Sequence, residues 1–326
     1  MIPRLFACAL VTLSLPVAQA SAADTPVAEV AQLRIYSSLW QNLHHFLYVS
    51  ASARKAAPGR PLAMPLPRGS DVSMTPDDRA AWDQAVAVYE REFTSRDLLF
   101  DSAMTMIKLG LVDRDDQLTG APFDNELKTL LLSAAPIYRK YWWPAHDAAN
   151  RAWIEDAARR TTKYAPAIVA RLTALYGVPW FAGPVRVDVV RVGKSQGAYT
   201  SLNPTHIVVA SSDRSYEQWS SVEMLFHESS HGLIQKVSAA VNGAVAASNK
   251  RANDLWHVVL FYTAGEVTRQ ELANDGVSYK PYLYATGLFD RAWPRFRAPV
   301  EQHVQGYIDG KTTLDQMAVG LAAAIP

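Results

Sequence analysis

Two histidines and a glutamate lie close together in the segment His227-Glu228-Ser229-Ser230-His231. Residues four apart lie on the same face of a helix, so the imidazoles of His227 and His231 can reach one metal ion. Neutral imidazoles at this spacing are a typical pair of zinc ligands. Glu228 directly follows the first of them, so its carboxylate can take a proton from water at the metal instead of binding the metal itself. The pattern predicts zinc-dependent hydrolysis.

Through this motif the chain resembles the zincins, a class of zinc metallopeptidases. The residues after His231 are Gly-Leu-Ile-Gln-Lys-Val, which lack the third histidine of the metzincin branch, so the resemblance is to the gluzincin branch. It covers only the few dozen residues around the motif. The resemblance implies a third zinc ligand from a glutamate on a following helix and a sheet edge that pairs with extended peptide. It also implies a tyrosine or histidine that stabilises the oxyanion.

The third ligand is expected on a second, almost entirely apolar helix over residues 255–269. Glu266 lies deep in this segment, and a buried carboxylate is costly unless it is paired or bound to a metal. Glu266 is therefore the predicted third ligand, with Glu271 and Asp275 as alternatives.

A histidine on the same helix, His257, competes for the third position. His257 and Glu266 are nine residues apart and point in nearly opposite directions, so both could face the metal only if the helix bends at Gly265. Tyr262 lies four residues before Glu266 and shares its face. Tyr262 and His257 are the candidate catalytic residues besides Glu228.

A small sheet is predicted just before the zinc helix. It comprises a strand at 185–192, a hairpin partner at 197–202 and a third strand at 205–210. The third strand is the candidate edge for binding extended peptide through backbone hydrogen bonds. His206 is not expected to bind zinc, because it lies at the far end of this strand from the zinc helix.

Most of the remaining chain is predicted to be helical, starting with one helix over 27–52, where apolar residues recur at helical spacing. Proline and glycine mark a loop or lobe connection over 57–74. The zinc helix is predicted to run to about residue 237, and residues 238–253 to form a connection.

The first 22 residues have the features of a secretory signal peptide. Arg4 provides the positive start, Leu5 to Val17 is a short apolar stretch, and small residues follow at the expected cleavage sites. The only cysteine, Cys8, lies in this segment, so the mature chain would have neither a disulfide nor a thiolate zinc ligand. A periplasmic or secreted protein is expected.

Charge and hydropathy exclude two classes of partner. The chain has 32 basic and 31 acidic residues, so loss of Arg4 with the signal leaves 31 of each and a net charge near zero. This balance argues against nucleic acid as the main partner. No stretch after the signal is long and apolar enough to cross a bilayer, so no integral membrane segment is expected in the mature chain.

The predicted fold is mainly α with a small β-sheet (α+β) and zincin-like. A helical N-terminal lobe, residues 24–180, would face a zinc-bearing catalytic lobe, residues 181–326. The expected function is an exported, zinc-dependent metallopeptidase that acts on a peptide or protein substrate. The alternative is a non-catalytic, zinc-stabilised helical binding protein, in which four protein ligands would close the metal site.

Overall fold

A computed structural model describes residues 25–57, 73–194 and 197–326. The predicted signal peptide and most of the predicted 57–74 connection lie outside these residues. In chain order the strands and α-helices are β1 Ala28–Val30, β2 Leu33–Tyr36, α1 Leu39–Ala56, α2 Pro76–Glu92, α3 Ser102–Gly110, α4 Asn125–Tyr141, α5 Trp143–Tyr176, β3 Val185–Val190, β4 Ala198–Ser201, β5 His206–Ala210, α6 Trp219–Ser230, α7 Gln235–Ala247, α8 Leu255–Ala273, α9 Tyr282–Ala285, α10 Leu288–Ala292, α11 Arg297–Ile308 and α12 Leu314–Ala324.

Helices make up 62% of the structure and the strands form one small mixed sheet, so the prediction of a mainly α fold with a small sheet is confirmed. No helix among the described residues is long and apolar enough to span a membrane.

The five strands are arranged in the order β1-β2-β3-β5-β4. Strand β3 pairs in parallel with both β2 and β5, while β1 and β4 pair antiparallel on the two outer sides. The predicted hairpin between the first two of the three sheet strands is therefore wrong, because β4 pairs with β5 and not with β3. The prediction that 205–210 is an edge strand is also wrong, because β5 is paired on both sides and β4 is the edge.

The N-terminal segment begins with a hairpin, so the single helix predicted over 27–52 is wrong up to the start of α1 at Leu39. Ala31 and Gln32 have positive φ values of 52° and 64° and form the turn between β1 and β2. Leu33 and Ile35 alternate into the core and are both 0% exposed. Their backbone pairs with β3, at Val185 and Val187. This long-range pairing favours a strand where the local apolar spacing also suited a helix.

Both faces of the sheet are covered by hydrophobic cores. Val187, Val189 and Val209 face the core formed with α5, α6 and α8. Tyr199 and Val208 belong to a second core, which is built mainly from α1 to α4. The sheet thus takes strands from both sides of the lobe boundary predicted at residue 180, and the division into two lobes stays a prediction.

The segment after His231 is more helical than predicted. Helix α6 ends at Ser230, a turn follows, and α7 occupies Gln235–Ala247, most of the predicted connection. Val237, Val241 and Val245 are buried and spaced four apart, which gives α7 one apolar face. The many alanines in this stretch are good helix formers, and tertiary packing of the valine face stabilises the helix.

Candidate metal centre

Three histidines from two helices form a compact group. His227 lies in the last turn of α6, His231 follows directly at its C-terminal end, and His257 lies in the first turn of α8. One ring nitrogen from each lies within 4.8 Å of the others. The ring centroids are 5.1 Å apart for His227–His231, 5.5 Å for His227–His257 and 5.1 Å for His231–His257.

Helix α6 holds its two histidines rigidly because it is buried from Ser221 through Ser230. The two serines between the histidines do not compete for a metal. The hydroxyl of Ser229 donates to the carbonyl oxygen of Leu225 at 2.7 Å, and that of Ser230 to the carbonyl oxygen of Phe226 at 2.6 Å. These small side chains satisfy their own polar groups inside the helix and let α6 pack closely among its neighbours.

The histidine group fits a metal ion. Nδ1 of His227 and Nε2 of His257 are buried and have no hydrogen-bond partner among the described residues. Unpaired buried polar atoms are costly, and a bound ion would explain them. Three convergent imidazoles are also the donor set that suits zinc.

Burial keeps all three imidazoles neutral at pH 7, which is the form that binds metal. Burial holds the pKa of His227 well below its usual range, and the neighbouring His231 and His257 lower it further. The pKa of His231 is lowered to about 3, by burial and then by His257. The pKa of His257 is lowered to about 4 by burial, against a small opposing effect of the Asp254 carboxylate.

The structure brings His257, and not Glu266, to the histidine pair. Oε2 of Glu266 accepts hydrogen bonds from Nε of Arg269 at 2.8 Å and is 2.7 Å from its Nη2, so an ion pair accounts for this buried carboxylate. The separation of nine positions between His257 and Glu266 places them on opposite sides of α8. The residue beside the histidine pair is thus the competing candidate, His257, and not the predicted Glu266.

The two alternative carboxylates are also engaged elsewhere. Glu271 forms an ion pair with Arg171 at 2.9 Å, and Asp275 with Lys163 at 2.6 Å. Neither belongs to the histidine group.

Glu228 is held beside the histidines by the edge strand. Its Oε2 accepts a hydrogen bond of 2.6 Å from the hydroxyl of Thr200 on β4, and its Oε1 lies 4.0 Å from Nε2 of His227. Burial raises the pKa of Glu228 to about 7, against the opposing effects of the Thr200 hydroxyl and of Lys108. A carboxyl group with a pKa near neutrality is suited to accept and return a proton.

Tyr262 is directed away from the histidines. Its hydroxyl donates to Oε1 of Gln305 on α11 at 2.9 Å, on the side of α8 that also carries Glu266. The ring that lies against His227 is that of the preceding residue, Phe261, at a centroid distance of 3.7 Å. Of the two additional catalytic candidates, His257 lies in the site and Tyr262 does not.

A buried lysine contacts the edge strand β4 and the neighbouring strand β5. Lys108 of α3 is 0% exposed, and its Nζ donates to Oγ of Ser201 at 2.8 Å and to the carbonyl oxygen of His206 at 3.3 Å. Burial lowers the pKa of Lys108 to about 7, although the carboxylates of Asp188 and Glu228 oppose this shift. Sequence analysis missed this residue, because nothing in its local sequence distinguishes it from a solvated lysine.

Three side chains on β3 and β5 form a hydrogen-bonded cluster next to this lysine, which we call the Asp188 cluster. Asp188 is fully buried and accepts hydrogen bonds from Nε2 of His206 at 2.7 Å and from Nε of Arg186 at 2.7 Å. His206 is engaged there and does not belong to the histidine group.

Comparison of the chain with protein-family models, with curated proteins and with solved structures found no match.

Proposed function

We propose that the protein is a zinc-dependent metallopeptidase of the zincin type, with the metal held by His227, His231 and His257. The observation that carries the proposal is the convergence of three neutral imidazoles, one buried and two partly buried, beside a carboxylate, Glu228, that is not one of the ligands. The metal-capable group found among the described residues has three members. A three-ligand site with an open position favours a catalytic role over the alternative of a closed, structural site.

The mechanism assigns one role to each group. Zinc, when bound, supplies Lewis acidity toward a carbonyl oxygen and toward water. Oε2 of Glu228 is engaged by Thr200, so Oε1 is the atom that accepts the proton of the attacking water. The same carboxyl group then delivers this proton to the nitrogen of the leaving amine. The predicted signal peptide supports action outside the cytoplasm, in a periplasm or after secretion.

Metal analysis of the purified mature protein tests the ligand set. The wild type is expected to hold about one zinc ion per chain, and His257→Ala and His227→Ala to lose it. Glu266→Gln is the matched control and is expected to retain zinc. Loss of zinc in Glu266→Gln with retention in His257→Ala would refute the assignment.

Glu228→Gln tests catalysis separately from metal binding. The amide keeps the size and one oxygen of the side chain but cannot take up the proton, so zinc content should stay at the wild-type level. Hydrolysis of a mixed peptide library, followed by mass spectrometry, should fall by at least ~10²-fold. Equal cleavage by both proteins would show that Glu228 is not the base, and no cleavage by either with full zinc would favour the non-catalytic alternative.

A further inference from the structure

Large aromatic side chains border the histidine group on one side. The ring of Trp256 lies 6.0 Å from that of His231 and 5.3 Å from that of His257. The ring of Trp293, from the segment between α10 and α11, lies 5.8 Å from that of His257. Two indoles from separate parts of the chain thus adjoin His257, and that of Trp256 also adjoins His231. We call them the aromatic edge of the site.

This edge is also where the site meets solvent. His227 and Glu228 are buried, whereas His231 and His257 are only partly buried, as are Trp256 and Trp293. A molecule that approaches these two histidines from solvent would therefore meet the indole rings.

The aromatic edge is fixed in place by the surrounding structure. Phe261 lies between His227 and Trp293 and is stacked on the ring of Tyr282 at 6.0 Å and 14°. The segment that carries Tyr282 is anchored to α6, because Glu223 accepts hydrogen bonds from the Tyr282 backbone N–H at 2.9 Å and from the Tyr279 hydroxyl at 2.6 Å. Phe261, which the ring of Trp293 adjoins, is therefore held in place before a ligand binds, so little conformational entropy is lost at this ring on binding.

We propose that Trp256 and Trp293 form a subsite for a bulky apolar side chain of the peptide substrate, next to the bond that is cleaved. The inference rests on the proposed peptidase function and specifies its substrate class. Partly exposed indoles offer apolar area that an aromatic or long aliphatic side chain would cover, and ring-to-ring contacts add to the gain from burial. A hydrogen or methyl in the same position would leave both indoles in contact with water.

Binding of small zinc-directed probes tests the subsite without turnover. Glycine, phenylalanine and lysine hydroxamates share one metal-binding group and one amine and differ only in the side chain. Calorimetric titration of the zinc-loaded protein should give an affinity for phenylalanine hydroxamate about tenfold or more above that for glycine hydroxamate. This ratio should fall towards one in Trp293→Ala and persist in Trp293→Phe.

A matched control is available on α6. Trp219 is also partly buried but lies eight residues before His227, about 12 Å along the helix. Trp219→Ala should leave the ratio at the wild-type value, which separates a local effect from a general loss of folding.

Three outcomes would refute the proposed subsite. They are equal affinities for the phenylalanine and glycine hydroxamates, a higher affinity for the lysine than for the phenylalanine hydroxamate, and an affinity ratio that Trp293→Ala leaves unchanged. A protein that takes up zinc and selects the phenylalanine probe but cleaves no peptide would contradict the proposed function and leave the subsite supported. If peptides are cleaved, the cleavage sites should share large apolar residues at one position beside the bond, and Trp293→Ala should lose that preference.

Discussion

Replacement of the buried lysine by methionine should remove a steep dependence of stability on pH. Lys108 has an ordinary pKa of 10.5, which burial lowers to about 7 in the folded protein. Between these two values the unfolded chain holds a proton that the folded chain has released. The free energy of unfolding must then increase with pH in this interval and is constant, as far as Lys108 is concerned, below it.

The size of the effect follows from the two pKa values. Each pH unit well inside the interval contributes about 1.4 kcal/mol, and integration from pH 7 to pH 9.5 gives roughly 3 kcal/mol for one lysine. Because the native pKa is near 7, the slope is about half as steep at the lower end of this range. Methionine has a similar length and no charge, so Lys108→Met should lack this increment.

Urea unfolding at several pH values between 7 and 9.5, with a chelator present throughout, measures the difference. The range avoids the titration of histidines below it and of tyrosines above it. Lys236→Met, at an exposed position of α7, is the control and should keep the wild-type slope. Parallel curves for the wild type and Lys108→Met would refute the reasoning, since they would mean that nearby carboxylates keep the folded lysine charged over the whole range.

Three further predictions concern the metal, the Asp188 cluster and the edge strand. Zinc at ~1,000 times its Kd should raise the free energy of unfolding by about 4 kcal/mol. A melting temperature that changes neither on addition of zinc nor on addition of a chelator would contradict this. Asp188→Asn should lower stability by about 3–5 kcal/mol in urea unfolding, because Arg186 and His206 lose a buried carboxylate. A change below ~1 kcal/mol would mean that other groups already compensate the charge of Arg186. Thr200→Val should lower peptide hydrolysis about tenfold at unchanged zinc content, since Glu228 loses the hydroxyl that orients it, and loss of zinc instead would assign Thr200 a structural role.

The local spacing of the motif was sufficient to predict that His227 and His231 converge, because both lie on a helix of known geometry. The third residue of the group was not decidable in the same way. Helix α8 is buried over most of its circumference, so its sequence contains little information about which face meets α6. Packing against α6 decides this, and it selects the face of His257 over the opposite face with Glu266.

For a related reason, the sequence predicted that a small sheet is present but not the order of its strands. Short apolar strands such as β3 and β5 fit several neighbours equally well, and hydrogen-bond partners far along the chain decide among them. The aromatic edge at Trp256 and Trp293 could not be predicted either, because its two indoles come from segments almost forty residues apart.

The pairing of β2 with β3 has a consequence for how the chain folds. Leu33 lies opposite Val185, and all of α1 to α5 are inserted between these strands. During synthesis, the β1–β2 hairpin leaves the ribosome long before β3, so the side of β2 that pairs with β3 must remain unpaired or associate transiently. Closing so long a loop slows folding more than it costs stability. A fragment that begins at residue 181 would lack β1 and β2 and expose one side of β3 as an unpaired edge. Such a fragment is expected to aggregate rather than to assemble the metal centre.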